Sequence, residues 1–184
     1  MNDLDRMAED AAEAFAKLEN VRNAAIAGSR ATIRSTKKVI HAIHVSAPYD
    51  AAEKEMDFLV RKLIADPKDE PRVFNSPEVE DAMGEYCEAK ILIAIVRGSN
   101  IPSQKELGIS WQSWVLGLCD SLGELRRLLL TKLMMSDVDF ARNLFSSMEM
   151  ISDAIMTFDV PDAILPARRK QDIARGIMDR TRSD

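Results

Sequence analysis

The sequence predicts an all-α protein, a bundle of about seven helices led by one very long N-terminal helix. Three observations carry that expectation. Apolar residues recur at helical spacings over long stretches. No segment alternates apolar and polar residues in the manner of a half-buried strand. The chain has only seven glycines and seven prolines in 184 residues, and the prolines fall at or between the boundaries of the periodic stretches. The length suits one helical domain over residues 1–184 with room for a sizeable core.

The first helix is expected from about Asp3 to about Ser46, free of proline and with Gly28 as its one soft position. Leu4, Met7, Ala11, Phe15, Leu18, Ala25, Ser29, Ile33, Thr36, Ile40, Ile43 and Ala47 follow one side of it. Such a helix would reach roughly 60 Å, longer than a bundle of this size needs, so part of it is expected to form a subunit contact. After Pro48, Asp50 and Glu53 suggest an acidic capping box opening a second helix to about Ala65. The proline-rich segment 66–77 reads as a loop, with Ser76 as cap and Pro77 in the first turn of a third helix to about Val96.

A connector follows with a short turn at Ser103 to Leu107, closed by Gly108. The fourth long helix is expected from about Ser110 to about Met135. Gly117 and Gly123 inside it suggest close approach by another backbone. Asp137 begins a fifth, with Phe140, Leu144, Met148, Ile151 and Ile155 as its buried line. A crossing broken by two prolines leads to a last, basic helix from near Ala167.

The formal charge of −5 argues against a nucleic-acid partner until its distribution is considered. The segment from Val21 to Tyr49 has five Lys or Arg, two His and no acid. Arg30, Arg34, Lys37, His41 and His44 follow one another by steps of four and three along one helix face. That stripe is either a solvated face or a phosphate-binding strip. Cys87 and Cys119 are isolated in apolar runs, which suits buried thiols and no disulfide framework. The acidic N-terminus lacks the apolar centre of a signal peptide, and no apolar run is long enough to span a bilayer. A cytoplasmic location without membrane contact is expected.

Two stretches concentrate the chemistry. Met83 to Val96 and Trp111 to Leu130 are apolar enough to be buried, yet each holds an acidic pair on one helix face: Glu85 with Glu88, and Asp120 with Glu124. An unpaired buried carboxylate is very costly. These acids therefore imply either a bound cation or an ion-pair network, with Arg127 and Lys90 as the cations at hand. A di-iron bundle would need a Glu-x-x-His motif on each of two helices, and the chain has only two His, three residues apart at 41 and 44. No glycine-rich phosphate loop, nucleophile elbow or zinc motif is present. Oxygen donors alone suit Mg²⁺ or Mn²⁺, ions that organise displacement at a phosphodiester without a protein nucleophile.

The segments GEYCEAKILI, IPSQKELGI, WVLGLCDSLGELRR and FDVPDAILPARRKQDIARG, together with SRATIRSTKKVIHAIH, resemble the translin superfamily, in particular archaeal members close to Trax, the translin-associated factor. The similarity covers nearly the whole chain, with E-x-x-E and G-x-x-D-x-x-G-E in the family's order. It implies a translin-like all-α fold assembling into a closed oligomer, a homo-octamer, and a metal-dependent endoribonuclease acting on single-stranded RNA or fragments of small duplexes. On that resemblance Glu85, Glu88 and Asp120 match the family's metal-binding and catalytic acids, with Mg²⁺ or Mn²⁺ as cofactor and Glu124 as a fourth catalytic carboxylate. Arg30, Arg34, Lys37, Lys38 and His41 are the expected nucleic-acid contacts. Translin itself lacks the aspartate, so the alternative is a non-catalytic oligomer that binds RNA or single-stranded DNA.

Overall fold

The computed structural model describes residues 3–67 and 69–183, and among them every regular element is a helix. Helix α1, Asp3–His44, runs unbroken for 42 residues because nothing in it removes a backbone donor. Only its second half is built into the core: Ala25, Ser29, Thr32, Thr36, Val39, Ile40 and Ile43 are buried. Leu4, Met7 and Phe15, on the line expected to be apolar throughout, are 72%, 63% and 70% exposed. The first half of α1 thus stands clear of its own bundle.

Helix α2, Asp50–Ala65, starts where the sequence places it, but not through the expected capping box. Its cap position is Tyr49, which makes no side-chain cap bond. Asp50 and Glu53 instead accept from Arg97 Nη2 at 3.0 and 2.7 Å, a charge-assisted partner that outcompetes a backbone N–H. The loop expected over 66–77 contains a single helical turn, α3, Pro71–Phe74. Helix α4, Pro77–Arg97, has Pro77 in its first turn and stops at Gly98, whose φ of 66° is one that glycine adopts freely. The turn α5, Gln104–Leu107, opens on a reciprocal capping box between Ser103 and Glu106. Helix α6, Trp111–Met134, is capped by Ser110; α7, Val138–Met156, by Asp137; and α8 spans Ala167–Ser183.

Helices α4 and α6 form the centre. Ala82, Cys87, Ala89, Ile91 and Leu92 of α4 are buried beside Leu118, Leu122, Leu125 and Leu128 of α6. Helix α1 packs against α4, while α7 and α8 pack against α6. The expected line on α7 is buried at Leu144, Met148, Ile151 and Ile155, and Phe140 is half-buried. Of the two glycines expected to admit a neighbouring backbone, Gly117 does: a Cβ there would lie 2.6 Å from Cys87 Cβ and 2.7 Å from the Gly84 carbonyl oxygen. Gly123 does not, since a Cβ there would meet nothing within 4 Å. No helix among the described residues is long and apolar enough to cross a membrane.

Candidate functional site

The Gly84–Gly117 contact sets the register of the two acid-bearing helices. One turn earlier, Ser113 Oγ lies 2.6 Å from the Glu80 carboxylate, and Ser110 Oγ donates to the same oxygen at 2.8 Å. The Glu80–Ser113 and Gly84–Gly117 contacts each join residues 33 apart in the chain, so α4 and α6 advance together. Continuing the register over the next two turns brings Glu85 and Glu88 to the same side as Asp120 and Glu124. All four line one cleft of about 530 Å³, closed on its third side by Lys37, Ile40 and His41 of α1 and bordered by Arg127. The acids that the sequence places on separate helix faces therefore share one space.

Their charges are incompletely matched. Burial pushes the Glu88 carboxyl up to about 8, reinforced by the neighbouring charges of Glu85, Asp120 and Glu124. Glu85 is raised as well, by burial first, with Lys37 opposing. Glu124 goes the other way, held below the usual carboxylate range by its hydrogen bond with His44 Nε2, at 2.5 Å. Arg127 approaches Glu124 at 3.6 Å, and Lys170 Nζ lies 2.5 Å from Asp120 Oδ1. The ion-pair network that the sequence allowed is thus differently wired. Arg127 serves Glu124, and Lys90 turns to Glu53 and Asp57 of α2 at 2.6 and 3.4 Å.

Glu85 and Glu88 have no salt-bridge partner among the described residues. Four carboxylates with oxygen donors only are the right chemistry for a hard divalent cation. The arrangement is an open one: no three of them are gathered into a ready cage among the described residues. Lys170 engages Asp120, and His44 engages Glu124.

Of the expected phosphate contacts, Lys37 and His41 reach the cleft. Arg30 and Arg34 extend the same exposed face of α1 and form no salt bridge among the described residues. Lys38 points towards α2, 3.5 Å from Glu55. Sequence reasoning missed the roles of His44 and Lys170. His44 is 6% exposed and holds Glu124. Only the helical step from His41 to His44 hinted at it, and nothing local pointed to Lys170. Cys87 and Cys119 are free and buried, each thiol pushed up to about 12 by burial, which leaves them inert.

No protein-family model matches the chain. An uncharacterised protein of Methanocaldococcus jannaschii is 31% identical over 175 residues, spanning 92% of this chain and 77% of that one. The chain belongs to the same family as that protein. Among solved structures it is similar to AfC3PO, with a TM-score of 0.86 and 29% identity over 96% of this chain and 94% of that one. A complex of AfC3PO with duplex RNA matches with a TM-score of 0.85 and 28% identity, covering 96% of this chain and 93% of that one. Apo-NeC3PO shares the fold at a TM-score of 0.83 and 22% identity, covering 100% and 95%. The translin-like fold expected from the sequence is therefore observed, in the form these C3PO structures share, and in this C3PO-like chain the acidic cleft lies between its two central helices and α1.

Proposed function

We propose that this C3PO-like chain is a Trax-like, Mg²⁺- or Mn²⁺-dependent endoribonuclease that works inside a closed homo-oligomeric shell, an octamer. The observation that carries the reading is the cleft itself: four carboxylates from two helices, two of them without cations, beside an exposed basic face. Glu85, Glu88 and Asp120 would hold the cation. When bound, it supplies polarisation of the phosphate and a lowered pKa for bound water. Glu88, largely protonated near neutrality, has a proton to give up as positive charge arrives. Glu124, kept ionised by His44, can accept a proton from water. Lys37, His41 and Arg127 at the cleft, with Arg30 and Arg34 beyond, attract the phosphate backbone. Lys38 contributes less, because Glu55 competes for it. The AfC3PO complex with duplex RNA supports RNA as the ligand class. The exposed Leu4, Met7 and Phe15 support burial of the first half of α1 between subunits.

A second reading, an RNA- or single-stranded-DNA-binding oligomer without turnover, is favoured by one observation: Asp120 and Glu124 already have protein cations, Lys170 and Arg127. Labelled single-stranded RNA incubated with the protein, with and without Mg²⁺ or Mn²⁺, separates the two. Cation-dependent cleavage is the expected outcome, and retention of intact RNA under both conditions would leave only the binding role.

A further inference from the structure

Lys170 follows Arg168 and Arg169 in the first turn of α8, and that turn holds no acid. A helix N-terminus carries partial positive charge, so three successive cations there are set against the dipole. Arg168 and Arg169 are exposed to solvent. Lys170 is drawn across to α6, where its Nζ meets Asp120 Oδ1 at 2.5 Å, with the two side chains 31% and 46% exposed. A partly exposed pair of this kind adds little to stability. Its placement makes sense with respect to the cleft, because Asp120 is one of the four carboxylates that line it.

The next residue shows that the start of the helix is fixed. Gln171 is buried, and its amide donates to the carbonyls of Ile155 and Phe158 at 3.0 and 2.7 Å, pinning the start of α8 to the end of α7. Lys170 reaches Asp120 from this anchored turn on a flexible four-carbon stem, with a compact charge that can swing into solvent without moving α8. Its charge is also the one that draws the Glu88 carboxyl downwards, against Glu85, Asp120 and Glu124.

We propose that Lys170 is a built-in competitor for the divalent cation, neutralising Asp120 until a metal displaces its ammonium from that carboxylate. This rests on the reading of the cleft as a cation site. The consequence is a threshold: the cleft fills only where free divalent cation is concentrated enough to expel a tethered rival. A supporting role, in which Lys170 steadies Asp120 and leaves its other oxygen to the metal, would give the opposite response to removal of the ammonium.

Isothermal titration calorimetry with Mn²⁺ alone decides the matter, on the full chain and with thermal melts to confirm folding. Lys170→Met, and Lys170→Gln as an independent variant, should each tighten Mn²⁺ binding about tenfold, since a like charge has left the site. Lys170→Arg, which keeps the charge, should stay within about threefold of the unmodified protein. Asp120→Asn should weaken binding about tenfold or more. If the Met and Gln variants bind Mn²⁺ equally well or more weakly while Asp120→Asn still loses affinity, the competitor role is overturned and the cleft reading stands. If Asp120→Asn binds like the unmodified protein, both fall.

Discussion

Helix α4 carries two charge clusters on opposite sides, and they are built to different ends. Toward α2, Lys90 donates to Glu53 and Asp57, Arg97 donates to Asp50 and Glu53, and Tyr86 donates its hydroxyl to Asp57 at 2.9 Å. Burial alone would raise the Glu53 carboxyl, but the hydrogen bonds from Lys90 and Arg97 hold it below the usual range. Toward α6, Glu85 and Glu88 face two further acids, and the Glu88 carboxyl is pushed up to about 8. The first cluster is matched internally and fastens α2 to α4. The second leaves Glu85 and Glu88 without a salt-bridge partner among the described residues, an arrangement that costs stability and is more typical of functional sites than of structural ones.

The sharpest way to break this contrast is to remove one acid from the second cluster. Asp120→Asn should reduce RNA cleavage on the order of 10³-fold while RNA binding, followed by gel shift, persists. Unchanged cleavage would take Asp120 out of the site. In the matched cluster the consequence should fall on the fold. Lys90→Met removes one donor from each of Glu53 and Asp57, leaving Arg97 and Tyr86 as their remaining partners, and should cost about 1–2 kcal/mol in denaturant melts, with RNA cleavage by the folded fraction unaffected.

Acidity should separate the clusters by sign. Glu53 titrates below its ordinary 4.5, so its contribution is present above that pH and is lost as the pH falls through the lower native value. Glu88 titrates near 8, so the native chain holds an extra proton between 4.5 and 8 and loses stability as pH rises through that window. Without added divalent cation, Glu88→Gln should therefore stabilise the protein by about 1–2 kcal/mol at pH 8 and by almost nothing at pH 4. A gain independent of pH would refute the assignment. The smallest effect concerns the basic face of α1, which runs from the cleft at Lys37 outward to Arg34 and Arg30. Replacing Arg30, Arg34 and Lys37 by alanine should reduce the slope of log affinity for RNA against log salt by about 2, and an unaltered slope would return that face to solvent.

The fold was largely legible because its punctuation is local. Pro77, Gly98, Ser103, Gly108, Ser110 and Asp137 each end or begin a helix through their own backbone or cap chemistry. The acids were legible for the same reason, since helical spacing decides which of them share a face. Their partners were not. His44 reaches Glu124 across 80 residues, Lys170 reaches Asp120 across 50, and Lys90 finds Glu53 across 37. Spacing along one helix says nothing about which neighbouring helix lies opposite. Gly117 and Gly123 make the same point: six residues apart in α6, one faces α4 and the other faces away from any contact. Asp50 and Glu53 looked like a cap because the sequence could not show Arg97 arriving from α4.

The backbone contact at Gly117 also acts as a mechanical stop. With Cys87 and the Gly84 carbonyl already where a Cβ would stand, the two rods can spread but cannot draw nearer. Any tightening of the pocket's grip must come from rotation and reach of side chains, and the length of the acid at position 120 becomes its ruler. On the proposed reading of the cleft as a cation site, Asp120→Glu lengthens that reach by one methylene and should shift the preference between Mg²⁺ and the larger Mn²⁺.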